Sequence, residues 1–225
     1  MSEETAVLSW DDIRRWRRER RTELIGRRQA IPQDERRRLQ PLILGRIERE
    51  FPELAGALVG FYWPIRGEVG AHGLVRRLVE RGARAALPVV VEKNRPLEFR
   101  AWRPGDRLER GVWNIPIPAE GEVVRPTALL VPLVGFDPEG FRLGYGGGYY
   151  DRTLAALDPK PLTVGVGFEL GRLPTIHPQP HDIPMDAIVT EAGTLRAAGL
   201  LGDTVRPRAP SRSSCPEATS GQKHP

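Results

Sequence analysis

The chain has 225 residues with 40% apolar and 28% charged content and a formal net charge of +5, the make-up of an ordinary globular protein long enough for one domain with a sizeable core. Its longest apolar runs, Ala57–Trp63 and Ala128–Phe136, fall far short of the ~18 residues a bilayer crossing needs, and MSEETAVLSWDD lacks the basic and apolar regions of a signal peptide. A cytoplasmic protein without membrane contact is expected, and with Cys215 as the only cysteine no internal disulfide forms.

Taken in chain order, Trp10–Ala30 and Gln33–Glu50 read as helices interrupted at Ile31-Pro32, with Pro32 suited to the first position of the second helix. Ala57–Trp63 reads as a buried strand broken by Pro64 and Gly67. Gly73–Arg81 carries helix periodicity through Leu74, Leu78 and Val79 until Gly82 stops it. Arg84–Val91 and Leu97–Trp102 follow as strands, and Pro88 argues for an edge or a bulge in the first of them. Ala128–Val134 and Leu162–Phe168 flank a helix that begins near Tyr149. This alternation predicts a three-layer α/β/α domain with a mainly parallel, Rossmann-like sheet and ligands at the carboxyl ends of its strands. The domain is expected over residues 1–202, with a disordered tail over 203–225, where Pro, Ser and charge replace large hydrophobes.

The basic excess concentrates in the first helix, at Arg14, Arg15, Arg17, Arg18, Arg20, Arg21, Arg27 and Arg28. Interleaved with Glu19 and Glu23, most of these read as a solvated face. No RNP, KH, zinc-finger or helix-turn-helix signature accompanies them, so a nucleic-acid partner is not expected.

The densest chemistry lies in FDPEGFRLGYGGGYYDR, residues 136–152, directly after an apolar strand. Gly144, Gly146, Gly147 and Gly148 allow positive φ and close approach of the backbone to a ligand. A helix starting at Tyr149 would aim its unpaired N–H groups and positive dipole end at an anion, and Asp151 stands where a phosphate-bound metal would be held. By itself the glycine run also fits a tight strand-to-helix turn.

Together with three further stretches, the segment resembles the 5-formyltetrahydrofolate cyclo-ligase (methenyltetrahydrofolate synthetase) family. RLGYGGGYYDRTL after ALLVPLVGFD matches its signature, Gly-x-Arg-Leu-Gly-x-Gly-x-Gly-Tyr-Tyr-Asp. YWPIRGE (Tyr62–Glu68), WNIPIP (Trp113–Pro118) and HDIPMDAIVTE (His181–Glu191) agree in order and spacing, so the likeness spans residues 14 to 195.

The resemblance implies ATP- and magnesium-dependent cyclisation of 5-formyltetrahydrofolate to 5,10-methenyltetrahydrofolate, with release of ADP and phosphate. It implies Mg2+ as cofactor, ATP as co-substrate, a reduced folate as the other small-molecule partner, and a monomer or weak dimer. Residue by residue, it points to Arg142 and Tyr149 as catalytic. Arg17, Arg21, Arg142, Gly144, Tyr145, Gly146, Gly147, Gly148, Tyr149 and Tyr150 fall on the nucleotide-binding positions. Trp63, Glu68, Trp113 and Tyr149 fall on those for the pterin, and Asp151 and Asp182 on those for magnesium. Asp186 reads as structural, supporting AIVTE.

Three departures stand out. Arg17 occupies a position that is lysine in the family, a planar fork in place of a compact ammonium. Val69-Gly70 replaces an acidic or apolar residue followed by threonine, which suggests an altered rim to the folate pocket. Gly147 stands where some members carry lysine. Two alternatives therefore accompany the main reading: a paralogue acting on another pterin or other substrate, and a non-catalytic basic protein that binds RNA or anions.

Overall fold

In the computed structural model, which describes residues 9–196, the helices are α1 (Trp10–Gln29), α2 (Gln33–Glu50), α3 (His72–Glu80) and α4 (Tyr149–Ala156). The strands in chain order are β1 (Leu58–Gly60), β2 (Arg84–Val89), β3 (Glu98–Trp102), β4 (Leu108–Arg110), β5 (Pro116–Pro118) and β6 (Val123–Val124), then β7 (Ala128–Pro132), β8 (Gly135–Phe136), β9 (Arg142–Leu143), β10 (Leu162–Val166), β11 (Ala187–Val189) and β12 (Thr194–Arg196). The stretch 203–225, expected as a tail, lies outside the described residues.

Eight strands form one sheet in the order β12-β11-β10-β7-β1-β2-β3-β6. Its centre is parallel, β11-β10-β7-β1-β2, and the antiparallel pairs stand toward the edges. β1 sends the chain to β2 on one side while β7 continues to β10 on the other, so the topological switch point lies between β1 and β7. Loops leaving both strands meet there, the usual place for a ligand in an open parallel sheet.

Two cores hold the layers together. Leu39, Ile43 and Ile47 of α2 and Leu74, Val75 and Leu78 of α3 cover one face through Val59, Leu87, Leu130 and Val164. Their spacing of three and four puts them on one helical stripe, and full burial of Ile43 or Ile47 contributes about 1.5–3 kcal/mol each. Leu154 of α4 covers the other face with Leu129, Val131 and Ile188. Alternate residues of β7 thus enter opposite cores, as a strand's period of two requires.

A third cluster joins Leu24 of α1 to Val134, Leu143 and Ile176. It seats α1 beside the segments that leave β7. Buried Asp137 braces the same region by accepting from the Glu139 and Phe141 amides with Oδ1, and from the Ile176 amide with Oδ2, all at 3.1 Å.

Several boundaries differ from expectation. Pro32 caps α2 from outside rather than opening it. The strand expected over Ala57–Trp63 pairs only over Leu58–Gly60, because the chain turns at Pro64 toward the switch point. Pro88 lies on an interior strand, not an edge. The Ala86 carbonyl accepts from Phe61 N at 3.0 Å on the β1 side, so by strand alternation Pro88's missing N–H also faces that side, beyond the end of β1. Asp186 accepts from Thr163 N (2.7 Å) and Oγ1 (2.8 Å), tying β10 to the start of β11.

Candidate active site

The loops leaving β1 and β7 line a cavity of about 690 Å³ at the switch point. Every residue singled out for the site lines it. Trp63 and Glu68 arrive from the chain after β1, and Trp113 from the link between β4 and β5. Arg142 comes from β9, Gly144 through Gly148 from the loop, Tyr149, Tyr150 and Asp151 from the start of α4, Asp182 from the chain before β11, and Arg17 and Arg21 from α1.

The glycine loop uses its conformational freedom at Gly146 (φ +95°) and Gly148 (φ +62°), the latter immediately before α4. Arg21 Nε donates to the Gly144 carbonyl at 2.7 Å, and Arg152 to that of Gly147, so two arginines brace the loop. A Cβ at Gly147 would stand 2.8 Å from ring atoms of Tyr149, so a larger residue there requires that ring to shift. Burial first, then the neighbouring Arg17 charge, hold the Arg21 guanidinium below its ordinary pKa. An incoming anion would relieve that crowding.

The two aspartates each face an arginine. Arg142 Nη2 lies 3.0 Å from Asp151 Oδ2, whose Oδ1 accepts from the Ile183 amide at 3.2 Å. Arg17 pairs with Asp182 Oδ2, which also accepts from Gln179 N at 2.7 Å. An ionised carboxylate has about four acceptor sites, so each keeps capacity beyond these bonds. Among the described residues no three His, Cys, Asp or Glu cluster as a metal cage. Asp151 and Asp182, on the wall of an arginine-lined cavity, are of the ligand type that suits magnesium, which completes its octahedron with other oxygens.

Buried Glu68 accepts from the Ile65 amide with Oε2 (2.9 Å) and from the Tyr145 hydroxyl with Oε1 (2.8 Å). Burial raises its pKa, against the lowering pull of the Ile65 amide, Arg28, Tyr145 and Arg66. Trp63 packs edge-on against His72 with centroids 4.4 Å apart. Trp113, exposed and with φ +56°, meets Tyr149 edge-on at 5.6 Å.

Sequence reasoning missed Arg28. Grouped with a solvated arginine face, it is buried, and it donates to the Arg66 carbonyl (3.1 Å), the Leu133 carbonyl (3.0 Å) and the Tyr145 hydroxyl (2.5 Å). Its spacing from Leu24 and Arg17 on α1 was the available signal. Arg17 is buried too, and donates to the Ile176 (3.0 Å) and His177 (2.9 Å) carbonyls. This gives the fork at a lysine position its physical reason. Four of the helix's other arginines pair with acids: Arg14 with Asp11, Arg15 with Asp12, and Arg20 and Arg27 with Glu23. At the Val69-Gly70 departure, Val69 is buried in the core and Gly70 donates to Gln40, and neither residue lines the cavity.

A mainly parallel sheet with a glycine loop, carboxylates and arginines lining one cavity at its switch point defines an α/β protein with its candidate ligand site there. The model of the 5-formyltetrahydrofolate cyclo-ligase family matches residues 13–191, and the chain belongs to this family of ligases. It is 33% identical over 181 residues to the 5-formyltetrahydrofolate cyclo-ligase of Mycolicibacterium smegmatis, covering 76% of this chain and 91% of the relative. It is 26% identical over 186 residues to the mouse cyclo-ligase, with the same coverage. The NMR structure of Aquifex aeolicus 5,10-methenyltetrahydrofolate synthetase superposes with a TM-score of 0.71 at 31% identity, covering 87% of this chain and 99% of that one. The Mycoplasma pneumoniae synthetase, at 22% identity and a TM-score of 0.63, shares the fold. No described helix is long and apolar enough to cross a membrane.

Proposed function

We propose that this chain couples ATP to ring closure of 5-formyltetrahydrofolate, giving 5,10-methenyltetrahydrofolate, ADP and phosphate. One observation carries the reading: arginines, glycine loop and two carboxylates share a single cavity with Glu68 and two tryptophans. The formyl oxygen attacks the γ-phosphorus and ADP leaves. N10 then adds to the activated carbon and loses its proton, and the C–O bond breaks as phosphate departs. No protein nucleophile is needed, so alignment and charge stabilisation are the chain's work.

Glu68 accepts hydrogen bonds from the pterin's amino and ring N–H donors, while Trp63, Trp113 and Tyr149 offer flat faces to its ring. Arg142, Arg21 and the loop backbone from Gly144 to Tyr150 receive the phosphates, and Arg17, bonded to the Ile176 and His177 carbonyls and to Asp182, lines the same cavity. Asp151 and Asp182 would hold a magnesium ion, which supplies positive charge to the phosphoryl oxygens. The same reading takes residues 1–202 as one catalytic domain, working in the cytoplasm as a monomer or weak dimer. Incubation with 5-formyltetrahydrofolate, ATP and magnesium should produce methenyl absorbance, lost when any one is omitted. Absence of product in the complete mixture would overturn the assignment.

A further inference from the structure

We propose that Tyr145 and Arg28 are positioning residues for Glu68, through which the glycine loop sets the affinity of the folate pocket. The inference rests on the reading of Glu68 as the pterin acceptor. The family pattern leaves the residue type at position 145 open, and the resemblance counts Tyr145 only as part of the nucleotide-binding loop, with no role toward the pterin.

The geometry is a directed chain. Arg28 is fixed at two points by the Arg66 and Leu133 carbonyls, and its third contact donates to the Tyr145 hydroxyl at 2.5 Å. With its oxygen so engaged, that hydroxyl turns its proton to Glu68 Oε1 at 2.8 Å. The Ile65 amide holds Oε2 at 2.9 Å, so both carboxylate oxygens are oriented and each keeps a free acceptor site for a ligand. Guanidinium groups of Arg28 and Arg66 stand 5.8 and 5.6 Å from the Tyr145 ring and hold it in place. Burial, followed by the Glu68 charge, pushes the Tyr145 hydroxyl well above its ordinary pKa, so it stays a donor.

The groups bearing on the Glu68 charge come from five directions: Arg28 of α1, Arg66 of the turn after Pro64, Tyr145 of the loop, Tyr150 of α4 and Tyr62 after β1. Arg28, Arg66 and the Tyr145 bond favour the ionised form against burial. Tyr145 also sits between Gly144 and Gly146 of the loop that Arg21 braces. Nucleotide contacts on the loop therefore reach the pterin carboxylate through one side chain.

Tyr145→Phe keeps the ring and deletes the donor. Its KM for 5-formyltetrahydrofolate should rise by about tenfold, and the ATP KM by clearly less, because the loop meets phosphate through its backbone, which the substitution keeps. The acidic limb of kcat/KM for folate should move to higher pH, since Glu68 loses a bond that favours its charge; substrate ionisations are common to both enzymes and cancel. Arg28→Lys should move the same parameters in the same direction, and the double variant should add little to Tyr145→Phe. A merely structural role would lower melting temperature without moving the pH limb or splitting the two KM values. An unchanged folate KM and acidic limb in Tyr145→Phe, or fully additive losses in the double variant, would overturn the inference. Failure of the underlying reading looks different: the parent enzyme itself would form no methenyl product, and the inference would fall with it.

Discussion

Arg142 and Asp151 clasp the same residue from two sides. Arg142 Nη1 donates to the Ile183 carbonyl at 3.1 Å, Asp151 Oδ1 accepts from the Ile183 amide at 3.2 Å, and the two side chains pair with each other at 3.0 Å. The triangle ties β9, the first turn of α4 and the chain that follows Asp182 into one unit. Asp151, one proposed magnesium carboxylate, is thus bonded to the residue that directly follows Asp182, the other.

Asp151→Asn should nearly abolish turnover, because an amide is a poor magnesium ligand. The structure adds a stability cost. Arg142 is 4% exposed at its side chain and Asp151 17%, so removing the negative charge leaves a buried cation with only the Ile183 carbonyl, at about 2–3 kcal/mol for the lost charge-assisted contact. The amide oxygen still accepts from Ile183, which keeps the fold. A melting temperature lowered by roughly 4–12 °C, with native circular dichroism, is expected. Full activity would remove Asp151 from the site.

Arg17→Lys tests whether this position serves phosphate charge alone. A lysine ammonium cannot span the Ile176 and His177 carbonyls and Asp182 at once, as the fork does through Nε and Nη2. The variant should lose about 1–3 kcal/mol of stability and raise the ATP KM by about tenfold as the 176–182 segment loosens. Parent-like melting and KM would show that a compact charge suffices.

How far the sequence carried differs between layers for physical reasons. Gly146 and Gly148 advertise their loop because few other residues tolerate φ +95° or +62° beside a helix start. Periodicity placed α1, α2 and α3 to within a residue or so. Partners are another matter. Arg17 and Arg28 share the helical stripe of Leu24, but a stripe names no partner, and it is the packing of Leu24 against Val134 and Leu143 that turns them inward. The bond from Tyr145 to Glu68 joins residues 77 apart, and no local pattern encodes it. Pro88 misled because interior position was judged from one residue, whereas β1's early end decides it.

Gly147→Ala should weaken folate binding with little change in stability. Position 147 does not need left-handed backbone, so alanine adds no backbone strain, but its Cβ would meet Tyr149 Cδ2 and Cε2 at 2.8 Å and push the ring. That ring lies edge-on to Trp113 at 5.6 Å. A folate KM raised on the order of tenfold is expected from displacing a positioned face by an ångström or less. An unchanged folate KM would place the pterin away from Tyr149.

Glu68→Gln should separate stability from function through pH. Burial raises the folded-state pKa of Glu68 above its unfolded value, so the contribution of this group is most favourable below the unfolded pKa, about 4.3, and is lost as pH rises through the folded value. Glutamine carries no charge and escapes that loss. The variant should therefore melt above the parent at neutral pH, with the gap closing as pH falls toward 4. Folate affinity should drop by about a hundredfold or more, because an amide turns a donor toward pterin donors and leaves them unpaired. Thermal melts across pH 4–8 beside folate KM values decide it. A variant less stable than the parent at neutral pH would show that the bonds from Ile65 and Tyr145 outweigh the burial of the charge.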